Sequence, residues 1–157
     1  MSKVAFYLIL AGLIPFVGLT FFLVFGITVL PALGSTVQVL GLYSLMIAVF
    51  ISGSHWGQHL GLDDQWVVFL PITSNLITVI LWLVFLTCSF TVITITFVIA
   101  FVILLGIDYK LLKTRHISGQ YFRMRFLVTA IVCLMPVSYT HLRAHETSLH
   151  LVCRLLL

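Results

Sequence analysis

The sequence predicts an all-α polytopic membrane helix bundle, with four full transmembrane helices and a truncated fifth. Three observations predict it. First, 62% of the 157 residues are hydrophobic and only 8% are charged, whereas a soluble domain carries roughly 45–50% apolar and about 25% charged residues. Eight basic and four acidic side chains are too few to clothe a water-soluble surface, and so apolar a chain is not a disordered one. Second, the apolar residues come in unbroken runs close to the ~20 residues that cross a ~30 Å hydrocarbon core at about 1.5 Å per residue. Third, these runs do not alternate with polar residues, as the strands of a membrane barrel would.

The first span is 4–26, a run without a charge and with Pro15 near its middle, flanked by Gly12 and Gly18. It is too long for the apolar part of a signal peptide, and no small-residue cleavage site follows it. Proline is tolerated here because neighbouring helices can satisfy the carbonyl it frees. A polar connection, PALGSTVQ, covers Pro31 to Gln38, and the second span is 39–57. Ser44, Ala48 and Ser52 recur every four residues, and Gly53 and Gly57 repeat the spacing. Such a stripe is expected to face another helix, because small residues let backbones approach where no hydrophobic drive exists.

GLDDQW (Gly61 to Trp66) is a polar turn, and 67–87 is the third span, with Pro71, Ser74 and Asn75 in its first half. Asn75 is costly against lipid and is expected to find a partner inside the bundle. Cys88 and Ser89 make a short turn to the fourth span, 90–107. Its TVITITFVI reads as a strand by soluble rules, but length and company overrule that. The charged stretch from Asp108 to Arg125 holds Lys110, Lys113, Arg115, Arg123 and Arg125. An apolar run from Phe126 to Met135 then begins a fifth span, 122–135, too short to cross.

Residues 136–157 (PVSYTHLRAHETSLHLVCRLLL) change composition abruptly. Val137 to Thr147 resembles the translation of a transposase sequencing adapter, and Leu151 to Leu157 that of its second part, in one frame with a short index between. The expectation is a non-native tail, so the multi-span domain is 1–135 and the tail takes no part in fold reasoning. Exclusion also removes the tempting metal set of His141, His145 and Glu146. Of the remaining cysteines, Cys88 and Cys133 lack any CxxC spacing and read as small hydrophobes.

Topology follows from charge. Lys3 precedes the first span and five basic residues follow the fourth, while 27–38 and 88–89 contain no Lys or Arg. Positive residues stay cytoplasmic, so the N-terminus and the 108–125 region are both expected inside. The second span then delivers His55, Trp56, Gln58 and His59 to the inner boundary. The fourth brings Asp108 there, and the fifth starts there with Arg123 and Arg125.

The segments LAGLIPF (Leu10 to Phe16), LYSLMIAVFISGSHWG (Leu42 to Gly57) and YFRMRFLVTAIV (Tyr121 to Val132) resemble the domain of unknown function 3429 family. That family resembles small multi-span proteins of bacterial inner membranes and a mitochondrial relative, transmembrane protein 69. Its most specific elements here are Ser52, Gly53, His55, Trp56 and Gly57 at the end of span two, and Arg123 and Arg125 at the start of span five. The resemblance implies a five-helix membrane domain and supplies no activity.

The candidate functional or partner surface is therefore His55, Trp56, Gly57, Asp108, Arg123 and Arg125, and the candidate packing set is Ser44, Ala48, Ser52 and Gly53. Asp108 can pair with Arg123 or Arg125, or end a helix in water. His55 and His59, four apart, could share a face, but two histidines at a boundary favour hydrogen bonding over ligation. Trp56 and Trp66 fit an aromatic belt. No phosphate loop, nucleotide fingerprint or triad pattern occurs, so no enzyme, metal, cofactor or nucleic-acid role is assigned. The expected partners are the lipid bilayer and a membrane protein or a second copy of the chain. A non-enzymatic accessory or assembly factor of the bacterial inner membrane is the leading reading, supported by the apparent lack of buried charge. A small transporter or channel is the alternative, resting on Pro15, Pro71 and Asn75.

Overall fold

A computed structural model describes residues 3–62 and 65–134. The segment expected to be adapter, the end of the fifth span at Met135, and Asp63 and Asp64 of the polar turn lie outside the described residues. The described chain is helical apart from its connections and one pair of two-residue strands. The helices are α1 (Lys3–Val24), α2 (Thr36–Gln58), α3 (Trp66–Thr87), α4 (Phe90–Lys113) and α5 (119–134). The first four are each long and apolar enough to cross a membrane.

α1 passes through Pro15 without a break. Close to the proline the Tyr43 hydroxyl donates to the Gly12 carbonyl at 2.7 Å, which ties α2 to α1 where the backbone ladder is weakened. α1 then stops sharply. Gly26 has φ +76, its N–H reaches the Leu23 carbonyl, and the Ile27 N–H reaches the Phe22 carbonyl. This double closure needs a left-handed residue, which glycine supplies without a Cβ penalty. The connection expected to be irregular holds a small antiparallel pair, β1 (Val29–Leu30) with β2 (Gly34–Ser35). Buried Thr36 fixes the start of α2 through its hydroxyl on the Ile27 carbonyl and its N–H on the Thr28 carbonyl.

A short 3-10 turn, His59–Gly61, leads towards α3. α4 runs six residues further than the hydropathy window allowed, to Lys113. Charge ends a hydrophobic window but does not end a helix, and Lys110 and Lys113 lie in its last turn, where cations oppose the helix dipole favourably. The link between α4 and α5 is accordingly only 114–118, not the whole charged stretch. It closes with Arg115 in the left-handed region at φ +62. The Arg115 N–H bonds Leu112 and the His116 N–H bonds Leu111, the same double closure as on α1 but without a glycine. Ser118 caps α5, its hydroxyl accepting the Tyr121 N–H at 3.3 Å. This tight reversal returns α5 alongside α4.

α2 and α4 are central, with 44% and 39% of their apolar windows buried against 22% for α1 and 17% for α3. Phe16, Leu40, Ala48, Leu81, Phe97, Phe101, Leu104 and Val128 form the main core, drawing on all five helices. A second cluster of Trp66, Leu70, Ile107 and Leu111 sits between the start of α3 and the end of α4.

Of the small-residue stripe, Ser44, Ala48 and Ser52 are buried, whereas Gly53 and Gly57 are not. Both glycines are exposed, and a Cβ on either would meet nothing. Each residue advances the helix by about 100°, so the glycines lie on a neighbouring face. The close glycine approach is at Gly41 instead, where a Cβ would come within 3.2 Å of the Phe85 ring.

Candidate functional site

Ser52 and His55 lie three apart on α2 and so share a face. Both are fully buried, and each bonds a different helix. The Ser52 hydroxyl donates to the Ser74 carbonyl at 2.8 Å, and the Ser74 hydroxyl donates back to the Ser52 carbonyl at 2.6 Å. This reciprocal clamp joins α2 to α3. Sequence reasoning expected Asn75 to be the polar group turned inward, but its neighbour Ser74 is. Asn75 is exposed and returns its amide N–H to the Pro71 carbonyl of its own helix at 3.0 Å. A local carbonyl one turn back relieves the cost of facing lipid.

One turn further along α2, His55 Nε2 lies 2.8 Å from Asp108 Oδ1 on α4, and Arg125 Nε of α5 donates to Asp108 Oδ2 at 2.8 Å. His55 and Asp108 are 0% exposed and Arg125 is 6% exposed. A carboxylate with each oxygen engaged thus joins three helices near their ends. The expected choice between Arg123 and Arg125 falls on Arg125, and Asp108 sits in the protein interior rather than at a wet boundary. Charge is therefore buried in this bundle, contrary to the expectation from the sequence. A lone Asp or Arg removed from water is costly, and mutual hydrogen bonding is what makes the burial tolerable.

The group is not fully saturated. Among the described residues, His55 Nδ1 and Arg125 Nη2 are buried without a partner. Arg125 uses one of the five guanidinium N–H donors, so its contact with Asp108 is not the bidentate fork. A carboxylate holding an imidazole is also half of a hydrolytic triad, yet the other imidazole nitrogen meets no hydroxyl here. The nearby hydroxyls of Ser52 and Ser54 are turned to backbone carbonyls. The Trp66, Leu70, Ile107 and Leu111 cluster includes Ile107, next to Asp108 in sequence, and Leu111, three residues on, and so places apolar side chains beside Asp108.

The remaining predicted residues lie outside this buried group. Trp56 is 46% exposed and packs edge-on to the His59 ring at 5.1 Å. Gly57 and Arg123 are exposed. His59 Nδ1 contacts the Trp56 carbonyl rather than any group shared with His55. Among the described residues, no three His, Cys, Asp or Glu side chains gather in a way that could hold a metal ion. Trp66 departs from the aromatic belt, being 8% exposed within the second cluster. Tyr109, Lys110, Lys113, Arg115 and Arg123 are exposed at the same end as the buried group.

These features define an α-helical, polytopic membrane protein whose helices are joined at one end by a buried His–Asp–Arg group. The chain belongs to the family described as protein of unknown function (DUF3429), whose sequence model matches residues 1–154. The match includes positions 136–154, within the segment whose residues resemble a translated adapter. No curated protein and no solved structure matches the chain.

Proposed function

We propose that this chain is a non-enzymatic accessory or assembly factor of the bacterial inner membrane. Its N-terminus lies in the cytoplasm, and it acts through the charged end of the bundle on a membrane protein partner or a second copy of itself. The observation that carries this reading is the division of polar groups at that end. His55, Asp108 and Arg125 are buried, the first and last each bonded to Asp108, while Trp56, Tyr109, Lys110, Lys113 and Arg123 are exposed. The buried group fixes the spacing of three helix ends, and the exposed residues give the fixed end a basic and aromatic surface. Aromatic and arginine side chains are the types enriched in protein contacts.

Two interior hydroxyls favour this over a transporter, although a third, Thr129 Oγ1 on α5, is buried without a partner among the described residues. Thr20 and Ser44 bond carbonyls of their own helices, so neither is a free group lining a path at mid-depth. A photo-crosslinking residue placed at Trp56 or Arg123 should give one discrete adduct in membranes, and none at Gln38 on the other end. The adduct mass separates a partner from a second copy. Equal adducts at all three positions, or substrate-dependent flux in reconstituted vesicles, would refute the reading.

A further inference from the structure

α1, α2 and α5 enclose a cleft of about 460 Å3 that the helix contacts leave open. Its size falls within the roughly 300–1,000 Å3 of small-molecule sites, and its lining is of the same kind, apolar with a few placed polar groups. Leu8, Gly12, Tyr43, Phe50, Tyr121 and Arg125 are among the residues that line it. Tyr121 and Arg125 are four apart on α5 and present one face to it. The polar end of the cleft is therefore at the charged end of the bundle. From Ser54 back to Tyr43 on α2, both of which also line it, the cleft runs about 16 Å towards mid-depth at 1.5 Å per residue. Leu8 and Phe50 are 66% and 79% exposed, so the walls open sideways to the surroundings of the bundle, which in a membrane are lipid tails.

Two observations indicate the occupant. Arg125 is more than nine-tenths buried, yet only its Nε has a partner, and Nη2 is buried with none. A guanidinium with unused donors at the mouth of an apolar cleft matches an anionic oxygen group attached to a hydrocarbon chain. The exposed cations at the same end, Lys110, Lys113, Arg115 and Arg123, add an attractive field for the same charge. We propose that the cleft holds one anionic phospholipid from the adjoining leaflet. Its phosphate is hydrogen-bonded by Arg125 through Nη1, the terminal nitrogen that is not sealed off, and one acyl chain lies along α2 towards Tyr43. The inference does not depend on the partner-surface reading, since the cleft opens to the side of the bundle and not at its end.

The test uses the full chain in detergent, with native mass spectrometry of lipids retained after addition of dioleoyl phosphatidylglycerol or dioleoyl phosphatidylcholine. A charge-assisted contact to phosphate alone does not separate these lipids. The net negative charge of the glycerol lipid does, because the choline ammonium is repelled by the cationic end. The expected preference for phosphatidylglycerol is about tenfold. Gly12→Leu should abolish retention, because a side chain there enters open space lining the cleft without a clash. Gly18→Leu, equally free of neighbours on the same helix but not among the lining residues, should retain the lipid as wild type does. Arg125→Gln, where it folds, should weaken retention of both lipids alike, since both carry the phosphate, while the exposed cations keep the preference for phosphatidylglycerol. Equal retention of the two lipids by wild type, or undiminished retention by Gly12→Leu, would overturn the proposal whatever the folding of the Arg125 variant.

Discussion

Replacing Asp108 by alanine tests whether the buried group is a structural joint. The carboxylate receives one hydrogen bond from α2 and one from α5, so its removal orphans two groups at once. One is a guanidinium that is 6% exposed, the other an imidazole that is fully buried. Breaking a buried ion pair from one side costs about 3–5 kcal/mol, because the surviving charge is left without compensation. For a chain of this size that corresponds to a fall in melting temperature of roughly 10 °C. His55→Ala is the milder variant. It leaves Asp108 paired to Arg125 with one oxygen unfilled, at a cost of about 1–3 kcal/mol. The diagnostic variant is Asp108→Leu with Arg125→Met, which removes both charges and keeps the volume. Apolar replacement of a whole buried pair is often neutral or stabilising, so the double variant should recover most of what Asp108→Ala loses. Thermal unfolding in a mild detergent, followed by tryptophan fluorescence, reads all three, since Trp66 packs in the cluster that also contains Ile107 and Leu111. The joint is refuted if Asp108→Ala stays within about 1 kcal/mol of wild type, below the range for an orphaned charge. A double variant no better than the single one would refute the charge argument while leaving a packing role.

Further outcomes follow from the same geometry. Ser52→Ala and Ser74→Ala should each destabilise by about 0.5–1.5 kcal/mol, and a double-mutant cycle should show coupling, because the two hydroxyls bond reciprocally across α2 and α3. Additive losses would show that each serine acts alone. Gly41→Leu should disrupt packing against Phe85, whereas Gly53→Leu, with open space around it, should leave the melting temperature unchanged. Cysteines placed at Trp56, Tyr109 and Arg123, all exposed, should react with an impermeant thiol reagent from the cytoplasmic side. Exposed native Cys88, in the turn between α3 and α4, should react from the other, and any mixture among the first three would break the shared layer. Resequencing of the source DNA should give a different, apolar continuation after Met135, and recovery of the same codons in independent reads would overturn the adapter reading.

Span number, order and approximate ends are legible in the sequence because membrane helices are selected for length and apolarity, and a hydropathy window measures both. The window says little about phase. In α5, Arg123 and Arg125 are two residues apart and therefore about 200° apart around the axis, so only one can meet Asp108. The residues that follow decide which. Val128, Thr129 and Val132 continue the face of Arg125 and are buried, while Phe126 and Leu127 continue the face of Arg123 and are exposed. Small and polar residues turning inward with bulky ones outward is the packing signal of membrane helices. That signal is present in the sequence, but depth alone places both arginines at the same level.

Depth and phase also part at Asp108, which the hydropathy window sets at a boundary. Phe97, Phe101, Leu104, Asp108 and Leu111 are spaced by three or four residues and are all buried, so the aspartate falls on the inward stripe of α4 with apolar residues of that stripe on either side. A charge at the edge of a hydrophobic run is ambiguous when only depth is considered, since the water interface and the protein interior both accommodate it. Phase removes the ambiguity: a charge needed only to end a span can occupy any face, whereas one on the buried stripe must have partners from other helices. His55 meets the same condition from α2, being on the face of Ser52 and Ala48, and Arg125 meets it from α5. Three ionisable residues on three inward stripes at one level can be buried together only by pairing. The His55–Asp108–Arg125 group is therefore what the phases of the helices require once the bundle closes, and the identity of the two hydrogen bonds is what packing adds.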